Sequence, residues 1–265
     1  MPAVSFTVTP AFVTFNGTDS VPTDAFTATI RSTKLGRTLE DPAGWMAISG
    51  AAFASAMGRS SVGTTNAVFA GLGINLGAWV PSPRFVHRYE LFPMVRMTYY
   101  LKEIFGIYAP KDDFTFVSDG GHWENLGLAE LLRRSCPLIL CFDASGDEPG
   151  SFNTLREAMS LCLTELPNVR EFDLGALAAA SAFERGMLPK TSVFEIPVVF
   201  TNGDHGRIIY ANSRIAADQV LGVRRFAQCD PKFPHYSTGD QFLDDQQFAF
   251  LVQAGRDAAA KSARR

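Results

Sequence analysis

A chain of 265 residues, 46% hydrophobic and 19% charged, holds enough apolar material for one large α/β domain or two small ones, and its balance excludes a disordered chain. A net charge of −3 offers no basic footprint, so nucleic acid is not an expected partner. The 22 phenylalanines point to a large core, or to an apolar surface that meets something greasy.

Taken in chain order, the opening MPAVSFTVTP has no basic stretch followed by an apolar block, so no signal peptide is expected. The first forty residues, rich in Thr, Phe and Val (FTVTPAFVTFNGT, AFTATIRST), read as short β or extended segments. WMAIS, residues 45–49, is a short apolar run, and AAFASAM after Gly50 reads as a helix that stops at Gly58. Residues 67–80 form the longest nearly apolar stretch, interrupted by Gly71, Gly73, Asn75 and Gly77 and too short to span a bilayer. Residues 91–105 carry apolar residues at helical spacing and end at Gly106.

FTFVS, residues 114–118, is a strand by composition, DGGHWEN (119–125) a loop, and LGLAELLRR (126–134) a helix with Arg133 and Arg134 in its last turn, where cations suit the dipole. PLILCF (137–142) is a second, almost wholly apolar strand, and DASGDEPG (143–150) its exit loop. Strand, helix and strand with short connections predict a βαβ unit with the two strands as parallel neighbours, and Asp119 and Asp143 at their carboxyl ends, where such sheets bind ligands. A helix over 154–166 follows. VFEIPVVF (193–200) and GRIIYAN (206–212) predict a hairpin across NGDH, and the tail from Gln241 an amphipathic helix. Cys136, Cys141, Cys162 and Cys229 show no CxxC spacing and read as small buried hydrophobes of a reducing compartment.

Asp119 is the leading candidate for chemistry. It leaves a strand into Gly120 and Gly121, which can take positive φ and let a backbone or ligand come close. A carboxylate on such a turn can take a proton from a serine hydroxyl; on the local pattern alone, since DGG is common in turns, a plain turn aspartate is the readier reading. His122 and Glu124 beside it, with Asp143 and Asp147, would suit a divalent ion, although H-x-E spacing is common. Asn125 reads as a helix N-cap.

The wider string SDGGHWENLGLAELLRRSCPLILCFDAS resembles the aspartate motif of the patatin-like and cytosolic phospholipases, lipid acyl hydrolases with a Ser–Asp dyad. MAISGAAFASAMG, GINLGAWVPSP and DPKFPHYSTGDQFLDDQQFAFLVQAG resemble the same bacterial patatin-like proteins, so the likeness covers roughly residues 40–255. It implies a single α/β domain over 1–265 with a mostly parallel sheet flanked by helices and a late hairpin, equivalent to the later part of a patatin-like domain. It also implies Asp119 as the dyad aspartate with Gly120 and Gly121 as its turn; no cofactor and no metal are expected. The substrate would be an ester at a lipid or membrane surface, and the compartment the cytoplasm, with peripheral membrane contact left open.

The family's serine sits on a G-x-S-x-G elbow, and a Gly-rich turn upstream supplies the oxyanion hole. Neither occurs in this sequence. Ser49, in Ala47-Ile48-Ser49-Gly50-Ala51, is the nearest substitute, but alanines replace both elbow glycines, and a helix-start serine is the plainer reading. Three readings stay open: an acyl hydrolase using Asp119, a non-catalytic remnant or partner domain needing a nucleophile-bearing half or self-association, and a metal-dependent hydrolase.

Overall fold

The computed structural model describes residues 5–15, 17, 19–30, 42–49, 77–84, 92–105, 107, 109, 112–145, 147, 151–181, 188–236 and 242–265. The chain is mixed α/β and divides into two compact units, Met1–Asn125 and Leu126–Arg265. The expected helix over AAFASAM lies outside the described residues.

The first unit opens on an antiparallel meander of β1 (Phe6–Val8), β2 (Phe12–Phe15) and β3 (Asp19–Pro22). The next segment is helical, α1 (Thr23–Ile30), and not extended as its threonines suggested. Phe26 and Ile30, one turn apart on one face, are both fully buried, and that burial outweighs the weak helix propensity of threonine. Further on come α2 (Pro42–Ser49), β4 (Ala78–Pro81), α3 (Phe92–Ile104) and β5 (Phe114–Val117). Val13, Phe26, Ile30, Ile48, Val80, Tyr99 and Phe114 form one core, with Trp45 and Trp79 packed on it.

β5 pairs antiparallel with β4, Trp79 opposite Phe116, and their rings meet edge to face at 5.4 Å. Among the described residues the partner of β5 is thus β4, an antiparallel one, where a parallel pairing with the PLILCF strand was expected. A cross-strand aromatic pair takes that role, and the short spacing between the two strands in sequence gave no sign of it.

In the second unit α4 (Leu128–Arg133) leads to β6 (Leu138–Asp143), α5 (Asn153–Glu165), β7 (Val169–Phe172), α6 (Gly175–Ser181), β8 (Val193–Phe200), β9 (His205–Asn212), α7 (Leu221–Cys229) and α8 (Asp245–Ser262). The sheet runs β6-β9-β8-β7. Only β6 and β9 are parallel; β9 with β8 and β8 with β7 are antiparallel. The mostly parallel sheet expected is thus a mixed one, because the late hairpin β8–β9 enters the sheet itself and its second strand takes the place beside β6. The hairpin turns across Thr201–Asp204, with Val199 opposite His205.

Helices cover both faces of this sheet. Ala258 of α8 packs on Val193, Ile209 and Ala211. Phe152, just before α5, packs on the opposite face against Phe194 at 5.6 Å and Tyr210 at 6.2 Å. Leu155, Met159 and Cys162 give α5 its buried stripe. Among the described residues β6 lies at the sheet's edge. Its Ile139, Cys141 and Asp143 are buried, while Leu138, Leu140 and Phe142 are 49%, 53% and 54% exposed. A strand apolar on both faces normally sits inside a sheet, and this one does not. Among the described residues no helix is long and apolar enough to cross a membrane.

Candidate functional site

Asp119 stands two residues beyond the carboxyl end of β5, and its backbone opens a single 3-10 turn, Gly120–His122. Its Oδ1 accepts the Gly121 N–H at 2.9 Å. The N–H groups of Trp123 and Glu124 both donate to the Gly120 carbonyl at 2.9 Å and close the turn. Asp119 is half-buried, and Glu124 is buried. Among the described residues Oδ2 of Asp119 has no partner, so one carboxylate oxygen is fixed and the other is available.

The glycines act differently from expectation. Neither Gly120 nor Gly121 takes a positive φ; the positive-φ glycines described are Gly17, Gly127 and Gly203. A Cβ on Gly120 would meet nothing within 4 Å, whereas one on Gly121 would lie 2.7 Å from Asn125 Oδ1 and 3.4 Å from Asp119 Oδ1. Gly121 is thus a matter of space beside the carboxylate, and Gly120 has no requirement visible in the turn. Asn125 does not cap α4: that place belongs to Gly127 at φ 70°, and no side chain caps the helix. The helix is correspondingly shorter than the nine residues read from LGLAELLRR.

Ser49 is the last residue of α2. A nucleophile elbow needs a strand before the serine and a helix after it, and here a helix precedes it. The side chains of Ser49 and His122 lie outside the described residues. Among the described residues no three His, Cys, Asp or Glu side chains gather to hold a metal. Asp147 accepts from the Thr154 N–H at 2.8 Å and its hydroxyl at 3.1 Å, tying the loop after β6 to the start of α5.

Asp143 ends β6, as its position after the PLILCF run suggested, and it is buried. Oδ1 accepts from the Ser145 N–H at 2.7 Å and Oδ2 from the Tyr210 hydroxyl at 2.5 Å. Burial first, and then the bond to Asp143, hold the Tyr210 phenol well above its ordinary value, so it stays a donor at any working pH. Sequence reasoning passed over Tyr210 and the buried Arg214 beyond it. The signal was a lone arginine in a run of small residues directly after a strand. No family model, curated protein or solved structure matches this chain.

Proposed function

We propose that this chain carries the aspartate half of a patatin-like Ser–Asp acyl hydrolase acting on lipid esters, with Asp119 as general base. The observation that supports it most is the state of the Asp119 carboxylate, held by Gly121 through one oxygen and open at the other. In this reading a serine Oγ–H gives its proton to Oδ2 as Oγ attacks the ester carbonyl. The proton passes to the departing alcohol, and water, activated by the same carboxylate, releases the fatty acid. The chemistry calls for no cofactor. The substrate is an ester at a lipid or membrane surface, and the compartment is the cytoplasm.

The serine is to be sought on a segment bearing a G-x-S-x-G elbow, which this sequence does not contain. The edge strand β6 favours the closely related reading of a domain that needs such a partner. Its Leu138, Leu140 and Phe142 are half exposed, and its outer edge is unpaired among the described residues. A patatin-like, mostly parallel sheet would be completed on that edge. The test is hydrolysis of a short p-nitrophenyl ester. The chain alone is expected to stay at background, and the chain with a nucleophile-bearing segment to turn over. Turnover by the chain alone would overturn the division of the dyad.

A further inference from the structure

The sheet face opposite α8 ends in a polar corner that the acyl-hydrolase reading does not use. Asp143 of β6 lies in register with Asn212 of β9, and the Asn212 N–H donates to the Ser192 carbonyl at 3.1 Å, so three polar side chains share one row. On the same face Tyr210 donates to Asp143 at 2.5 Å. Two residues past β9, Arg214 lays its guanidinium 4.3 Å over the ring of Phe152.

Arg214 is 6% exposed, and among the described residues it forms no ion pair and its side chain donates no hydrogen bond. Its Nη1 is enclosed with no acceptor, and Ser151 Oγ, Ser192 Oγ and Asn212 Oδ1 are enclosed and unpartnered as well. The carboxylates described in this corner are committed elsewhere. Asp143 serves Ser145 and Tyr210, and Asp147 serves Thr154. An arginine buried without a counter-charge is costly, and contact with an aromatic face compensates it only in part. Arg214 lies over the Phe152 ring, Ser151 precedes Phe152 in the chain, and Asn212 is bonded backbone to backbone with Ser192, so a missing ligand explains the orphaned groups better than four separate defects do.

We propose that this corner binds a phosphate group. Arg214 grips two of its oxygens in the bidentate manner guanidinium favours, and the Ser151 and Ser192 hydroxyls donate to it. Asn212 Oδ1 accepts from its P–OH. An ionised carboxylate could meet the guanidinium and the hydroxyls but has no O–H to offer Asn212 Oδ1. The proposal is independent of the role given to Asp119.

Thermal unfolding of the whole chain tests it, with inorganic phosphate, glycerol phosphate, acetate and sodium chloride compared at matched ionic strength. Phosphate should raise the midpoint saturably, by about 5 °C once it is a hundredfold above its dissociation constant. Acetate and chloride should not. A larger effect of glycerol phosphate than of inorganic phosphate would identify a lipid-type head group as the source, and an equal or smaller one a free phosphate. Arg214→Met keeps an apolar stem over Phe152 and should abolish the shift. Arg214→Lys and Ser192→Ala should each weaken it, and they carry the test if the methionine variant does not fold. A phosphate shift no larger than that of acetate, or one that survives in these variants, would overturn the site.

Discussion

Asp119 and its glycines show how far single residues speak for themselves. The position of Asp119 beyond a strand was legible because FTFV is a strand by composition and two glycines must interrupt it. What the glycines do was not, since φ is decided by how the turn closes. Gly121 leaves room for Asn125 and the carboxylate, and Gly127, six residues further on, is the glycine of this stretch in the left-handed region. This distinction gives a paired prediction. Gly127→Ala should destabilise the protein by about 1 kcal/mol or more, the cost of forcing a Cβ into that region. Gly120→Ala, with empty space around it and ordinary φ, should fall within about 0.5 kcal/mol of the parent. Urea unfolding of the two variants measures both, and equal costs would contradict this difference between the two glycines.

At the scale of elements, the helices over 91–105 and 154–166, the tail helix and the late hairpin were readable because periodicity and turn residues are local signals. The pairing of β5 with β4 and the place of β9 beside β6 were not, because they depend on residues far apart in sequence. α7 was missed as well: LGVRRFAQC buries only Val223 among its residues, too thin a stripe to read. The junction of α7 and α8 is held by one carboxylate. Asp230 accepts from the Tyr236 hydroxyl at 2.6 Å, the Lys232 N–H at 3.0 Å and Gln247 Nε2 at 3.3 Å. Gln247 in turn completes the capping box of α8 with Asp244. The Tyr236 bond, above all, holds the Asp230 carboxyl below its ordinary 3.8. A carboxyl lowered in the folded state stabilises above its unfolded value and loses that contribution as pH falls through the lowered one. Asp230→Asn should therefore be less stable than the parent at pH 7, and the gap should narrow once the pH drops below about 4. A gap that stays constant from pH 7 to pH 2.5 would remove Asp230 from the acid response.

At the scale of the molecule, the α/β class was legible, and the balance of strand directions was not. The run PLILCF read as an almost wholly apolar strand, and such a strand at an edge, with Leu138, Leu140 and Phe142 half exposed, invites association. Sedimentation of the purified chain should show concentration-dependent self-association. Leu140→Lys, on the exposed face, should suppress it while leaving the unfolding midpoint nearly unchanged, whereas a strictly monomeric parent would argue against an open edge. The proposed function rests finally on where the serine is and whether Asp119 serves it, and labelling with a fluorophosphonate probe, mapped by mass spectrometry, addresses both. No adduct is expected on this chain alone, and an adduct is expected on the elbow serine when a nucleophile-bearing segment is bound. Asp119→Asn, nearly isosteric, should slow that labelling by about 10²-fold or more with the circular dichroism spectrum unchanged. An adduct on any serine of this chain, Ser49 included, or labelling indifferent to Asp119→Asn, would contradict the proposed function.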